Sequence, residues 1–139
     1  LRNNGSVIGW PGGTSVTNPG GSNPGGQEPD KIKDGNTATK WLDIQFGGNG
    51  EISDLVFDLG AATEVKGYEF VTGDDADWRD PYRWLFQYSD DGSSWTTVDT
   101  QDPSPPSPDV STSRTVQAGP YDFEAPGGGA VVRPYYFTG

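Results

Sequence analysis

The chain has 139 residues with 21 Gly and 12 Pro, and it contains neither Cys nor His, which excludes disulfides, thiolate metal sites and imidazole catalysis. A formal net charge of −11 disfavours nucleic acid and anionic membranes as partners, because binding to phosphate needs clustered Lys and Arg. The metal that this composition still allows is a hard cation held by oxygen atoms, calcium above all.

Residues 1–30 are rich in turn-forming residues. Two Asn-Pro-Gly-Gly units, at 18–21 and 23–26, predict tight turns, because Pro fixes φ and Gly permits positive φ. A short strand is expected at Ser15–Thr17, and Asn4-Gly5-Ser6 forms an N-glycosylation sequon. We therefore interpret this region as mainly surface loop.

From residue 52 onward, apolar side chains alternate with polar ones, which is the period-two pattern of strands. The turn at Asp91-Gly92 predicts a β-hairpin over residues 83–99. Further strands are expected near 112–117 and 131–137, and no helical pattern of useful length competes. The positions predicted to share buried faces are Leu55, Phe57 and Leu59, then Tyr68 and Phe70, then Trp84, Phe86 and Tyr88. The pattern predicts an all-β protein.

Tryptophan positions fall into two groups. Trp41, Trp84 and Trp95 lie on or beside strand patterns, so they are predicted to be core residues. Trp10 is isolated in its segment, and both a loop anchor and a contact residue fit it. The connection 100–113 is rich in Pro, Ser and Thr, so we expect it to be extended, solvated and open to O-linked sugars.

The connection 72–82 is the candidate binding surface, because it combines an aromatic residue with several charged ones. Sugar recognition uses a flat aromatic face for C–H groups and charged or amide groups for hydroxyls, and Trp78 offers such a face. A structural alternative is open for the Arg79-Asp80-Pro81 segment, which also fits an ion pair and turn that brace the loop. The candidate ligand-binding residues are Asp75, Asp77, Trp78 and Arg79.

Three motifs occur in one order along the chain. The first is Asp34-Gly35-Asn36 with Thr39 and Trp41, the second is Asp58-Leu59-Gly60, and the third runs from Ser89 to Trp95. Together they resemble the discoidin-like family, also called the coagulation factor 5/8 type C domain, over roughly residues 14–137. The resemblance implies a jelly-roll β-sandwich of about eight antiparallel strands with ligand-binding loops at one end. It also places a Gly/Pro-rich leader at residues 1–13 and the discoidin-like domain at 14–139.

The resemblance further implies a structural calcium in the segment around Asp34. Its ligands by matching position are the carbonyl of Lys31 and the side chains of Asp34, Asn36 and Thr39, with Trp41 closing the loop. From the residues alone, an ion-free turn is equally open, because Asp and Asn side chains cap local backbone N–H groups. In many relatives a further strand completes the domain and the calcium shell. We expect that strand either to be absent here or to be replaced by another segment or molecule.

The combined prediction is a non-catalytic, extracellular or cell-surface domain that binds polysaccharide or glycoprotein glycans and holds calcium. The alternative is a structural or adhesive domain of an extracellular assembly, which would self-associate or pair with a neighbouring strand along an open sheet edge. An enzyme is not expected, because carboxylates are the only abundant catalytic residue type and no pair lies in an apolar pattern. Nucleic acid binding and membrane insertion are not expected either.

Overall fold

A computed structural model describes residues 1–45, 52–75, 79–81, 83–102, 118–123 and 133–138. Among these residues the regular elements are strands and one 3-10 helix, Pro29–Ile32. The strands are β1 Arg2–Asn3, β2 Ser6–Val7, β3 Ser15–Thr17, β4 Asp54–Asp58, β5 Gly67–Phe70, β6 Trp84–Ser89, β7 Thr96–Gln101, β8 Ala118–Asp122 and β9 Arg133–Thr138.

The strands form two antiparallel sheets. One has four strands in the order β2-β1-β5-β8, and the other has five in the order β3-β4-β9-β6-β7. The strand at Ser15–Thr17 and the hairpin of β6 and β7 lie where the sequence predicts them. The predicted all-β, antiparallel sandwich is confirmed, whereas the strand predicted near 112–117 lies outside the described residues.

The core lies between the sheets and is mainly aromatic. The ring of Tyr68 on β5 stacks on Phe86 on β6, with centroids 4.2 Å apart and planes 6° apart. The buried face predicted for β4 and the residue after it is confirmed, because Leu55, Phe57 and Leu59 are at most 5% exposed. Large flat side chains bury much area each, so few of them suffice for a chain that is only 31% hydrophobic.

A short polar chain crosses this core. The indole Nε1–H of Trp84 donates to the hydroxyl of Tyr68 at 2.6 Å, and that hydroxyl donates to Asp99 on β7 at 2.5 Å. Burial, followed by the bond to Asp99, raises the pKa of Tyr68 far above its ordinary value. The phenol therefore stays protonated, and both buried polar groups of Trp84 and Tyr68 have partners.

The first ten residues pack against the sandwich. Arg2 on β1 forms ion pairs with Glu69 at 2.8 Å and Asp122 at 3.0 Å. Trp10 stacks on Phe57, with ring centroids 5.2 Å apart, so it anchors its segment to the core. The division between a leader at 1–13 and a domain at 14–139 stays a prediction.

The last described strand is internal to its sheet. β9 pairs with β4 on one side and with β6 on the other. The expectation that the family's final strand is absent or replaced stays a prediction, and most of the 100–113 connection lies outside the described residues.

Candidate ligand-binding cleft and cation loop

The segment after the predicted calcium loop is fixed by one buried carboxylate. Asp43, 9% exposed, accepts hydrogen bonds from Ser22 N at 3.0 Å, Gln45 N at 2.9 Å and Ser53 Oγ at 2.7 Å. Burial alone would raise the pKa of Asp43, but these bonds together lower it below its ordinary value. These bonds connect the loop that contains Ser22 to the segment that contains residues 40–43.

The Asp34 segment is a compact turn of polar side chains. Asp34 Oδ1 accepts from Asn36 N at 2.8 Å, and Asp34 Oδ2 accepts from Thr39 Oγ1 at 2.7 Å. Asn36 Oδ1 accepts from Ala38 N at 3.0 Å. The bond from Thr39, then the bond from Asn36 N, lower the pKa of Asp34, so its carboxylate is ionised at neutral pH. Gly35 has a φ of 72°, which a side chain would strain.

Some oxygen atoms of the predicted calcium loop lie close together in this turn. The Thr39 hydroxyl lies 2.7 Å from Asp34 Oδ2 and 2.8 Å from the Asn36 carbonyl oxygen, so three oxygens already lie together. Lys31 lies in the 3-10 helix just before the turn. In the described part of the chain, no three His, Cys, Asp or Glu side chains form a metal-binding group, so Asp34 would be the main charged ligand. The same bonds also complete an ion-free turn.

Beside this turn, two loops form a small cleft of about 60 Å³. One wall carries Lys40, Trp41 and Leu42, and the other carries Gly73, Asp75, Arg79 and Asp80. Lys40 Nζ lies 2.5 Å from Asp75 Oδ1, and Arg79 Nη2 lies 3.0 Å from Asp75 Oδ2. The bond from Lys40, with Arg79 adding to it, holds the pKa of Asp75 below its ordinary value. One carboxylate thus joins two cations from separate loops.

Two of the residues that line the cleft each have a buried polar atom with no hydrogen-bond partner among the described residues. These atoms are the donor Nε1 of Trp41 and the acceptor Oδ2 of Asp80. Trp41 also packs against the core, as predicted. An unsatisfied buried polar atom costs free energy, about 1–3 kcal/mol for a typical group, so a ligand or water is expected to pair with each.

Comparison with protein families settles the kind of domain. The model of the F5/8 type C domain matches residues 13–121. The chain belongs to this family. A search of curated proteins found no match. F5/8 type C domains are generally non-catalytic modules that bind ligands such as carbohydrates or lipids, and they are typically extracellular. Among the described residues, no helix is long and apolar enough to cross a bilayer.

Within this F5/8 type C domain, the structure brings together two of the predicted binding residues. Asp75 and Arg79 share the cleft, whereas Asp77 and Trp78 lie outside the described residues. Sequence reasoning did not assign Lys40 or Asp80 to ligand binding. The only available signal for Lys40 was its position between Thr39 and Trp41 in the first motif.

The third motif forms the turn between β6 and β7 of the F5/8 type C domain. Asp91 Oδ1 accepts from Ser94 N at 2.7 Å and Ser93 N at 2.8 Å, and it also accepts from Ser89 Oγ at 3.0 Å. These bonds lower the pKa of Asp91 to about 2. Because the bonds are local and structural, the motif accounts for the hairpin turn without a ligand.

Proposed function

We propose that this F5/8 type C domain binds carbohydrate in the cleft between residues 40–42 and residues 73, 75, 79 and 80, as a non-catalytic extracellular module. The observation that carries the proposal is the convergence of Lys40, Asp75 and Arg79 in one cleft, where Trp41 and Asp80 each have a buried polar atom without a partner in the described part of the chain. Hydroxyl groups of a sugar both donate and accept hydrogen bonds, so they suit a site with both donors and acceptors.

The charges of the cleft favour sugar over a phospholipid headgroup. Both cations are already paired with Asp75, and Asp80 adds a second carboxylate. A net charge of −11 on the whole chain opposes association with an anionic bilayer. Carbohydrate is therefore the better supported of the family's two general ligand classes.

The proposal is tested by titration calorimetry after a glycan array has identified a bound saccharide. We expect Lys40→Ala and Arg79→Ala each to weaken binding at least tenfold. Arg83→Ala is the matched control, because Arg83 pairs with Asp102 at 3.1 Å and both side chains are 61% exposed. If no glycan binds the wild type, or if Arg83→Ala is as harmful as Arg79→Ala, the cleft is not the site.

We also propose that the turn at Asp34 holds calcium through the Lys31 carbonyl and the side chains of Asp34, Asn36 and Thr39. Two of these ligand oxygens, Asp34 Oδ2 and Thr39 Oγ1, lie 2.7 Å apart, and the ionised Asp34 also supports this. With few charged ligands the affinity should be low, in the range of about 10⁻⁴–10⁻³ M that extracellular sites show. The ion would fix the loop that carries Lys40.

A second candidate function is adhesion through strand pairing with another copy of the chain. β7 is an outer strand of the five-stranded sheet in the described part of the molecule, and Thr96, Thr97 and Thr100 on it are exposed. Edge strands offer unpaired backbone groups to a partner strand. Sedimentation over a wide concentration range tests this: a strictly monomeric chain that binds glycan would exclude it.

A further inference from the structure

We propose that the cleft selects uncharged sugars against uronates and sulfated sugars, because Asp75 already occupies the position that an anionic ligand would take. This inference rests on the proposed carbohydrate function and specifies its ligand class. It makes Asp75 a specificity residue rather than a direct ligand for sugar hydroxyls.

The Asp75 carboxylate lies between two cations. Each of its two oxygens pairs with a different cation, Oδ1 with Lys40 and Oδ2 with Arg79. A carboxylate or sulfate on a ligand binds Lys and Arg through the same kind of contact. An anionic sugar that binds the remaining donors of these cations would be repelled by the Asp75 carboxylate, whereas an uncharged hydroxyl can bind beside it without that repulsion.

The charge of the cleft leads to the same conclusion. Lys40 and Arg79 contribute two positive charges, and Asp75 and Asp80 contribute two negative charges, so the described residues of the lining are formally neutral. An anion would gain no net attraction from it. The Oδ2 atom of Asp80 would remain unpaired, because an ionised carboxylate or sulfate has no proton to donate.

A hydroxyl group matches the unpartnered atoms better. It can accept from Nε1 of Trp41 and can donate to Oδ2 of Asp80, whereas an acceptor-only anion can serve just the first. The cavity of about 60 Å³ has room for a few water-sized groups, which suits the hydroxyls at one edge of a sugar ring.

The test compares binding to polygalacturonate with binding to its fully methyl-esterified form, and to neutral galactan, mannan and β-glucan, by affinity electrophoresis. We expect the wild type to bind at least one neutral polymer and to bind polygalacturonate at least tenfold more weakly. Asp75→Asn removes the negative charge between the two cations, so it should shift the ratio at least tenfold towards the anionic polymer. Asp74→Asn makes the same charge change next to the cleft lining and should keep the wild-type ratio.

A second measurement does not depend on any variant. Binding of the wild type to the neutral polymer should change little between about 50 and 500 mM salt, because no net ion pair forms with the ligand. A wild type that prefers polygalacturonate, or an Asp75→Asn protein that folds and keeps the wild-type ratio, overturns the selectivity. Equal binding of neutral and anionic polymers overturns the selectivity alone, whereas binding of no glycan overturns the proposed function as well.

Discussion

Two tryptophans show how the interior of this domain differs from its loop end. Trp84 lies between the sheets, 3% exposed, and its indole N–H donates to Tyr68 at 2.6 Å. Trp41 packs against the same core, but its buried indole N–H has no partner in the described part of the chain. Both positions were predicted to be core residues.

The difference separates a structural role from a binding role. In the interior, polar atoms of Trp84, Tyr68 and Asp99 satisfy one another. At the cleft, the Trp41 donor and the Asp80 acceptor have no partner among the residues that the structure describes. Stability should therefore depend on the first group, and ligand affinity on the second.

The largest effect is expected at the interior tryptophan. Trp84→Ala removes a buried aromatic side chain and leaves a cavity, so it should cost about 3–5 kcal/mol of unfolding free energy. Urea denaturation followed by fluorescence measures this. A loss below about 1 kcal/mol would show that the core does not depend on this ring.

The next effect concerns the polar chain through the core. Tyr68→Phe keeps the ring that stacks on Phe86 but removes the hydroxyl between Trp84 and Asp99. Removing this hydrogen-bond partner from the buried Trp84 donor and from Asp99 should cost about 1–3 kcal/mol, again by urea denaturation. Affinity for the glycan should not change, and a loss of affinity at unchanged stability would contradict the separation of roles.

Calcium bound at the loop end should contribute a similar or smaller amount to the unfolding free energy. Removing millimolar calcium with a chelator should lower the unfolding free energy by about 1–2 kcal/mol, by RT ln(1 + [Ca]/Kd). Asp34→Ala should abolish this dependence. Asp58→Ala is a suitable control, because Asp58 Oδ1 accepts from Gly60 N in a comparable turn without a proposed ion. If the stability of both the wild type and Asp34→Ala does not depend on calcium, the proposed calcium site is wrong.

A smaller stability effect is expected at the cleft tryptophan. Trp41→Phe keeps an aromatic ring and removes an indole N–H that has no partner among the described residues, so stability should change by less than about 1 kcal/mol. Glycan affinity should fall about tenfold, which corresponds to about 1.4 kcal/mol. Thermal unfolding and calorimetry on the same preparation test both halves of this prediction.

The smallest effect is expected from acid acting on the β6–β7 turn. The folded-state pKa of Asp91 is about 2, below its ordinary value of 3.8, so the turn gains stability above pH 4 and loses it as the pH falls towards 2. The melting temperature of Asp91→Ala should be lower than that of the wild type at pH 6, and the difference should narrow by pH 2. A difference that does not depend on pH would contradict the role of the charged carboxylate.

The sequence was sufficient for the fold because the strands carry local signals. Alternating apolar residues marked β4, β5 and β6, and Asp91-Gly92 marked the hairpin. The order of three motifs was sufficient for the family. Each of these signals lies within a few neighbouring residues, where periodicity and turn chemistry act.

The cleft depends instead on contacts across the chain. Lys40 and Asp75 lie 35 residues apart, and no local pattern indicates that their side chains meet. The sequence could suggest that Asp75 and Arg79 act together, because they are four residues apart, but it could not supply the other wall. Whether an indole N–H has a hydrogen-bond partner likewise depends on tertiary placement. The N–H of Trp84 has one and that of Trp41 has none among the described residues, although the sequence predicts both as core tryptophans.

The most direct test follows the indole N–H signals of the five tryptophans by ¹H–¹⁵N NMR during titration with a bound neutral saccharide. Trp41→Phe and Trp84→Phe identify the two relevant signals by their absence. We expect the chemical shift of the Trp41 indole N–H to change in a saturable way while that of the Trp84 indole N–H stays constant. A shift at Trp84 with no change at Trp41, in a protein saturated with saccharide, would contradict this expectation.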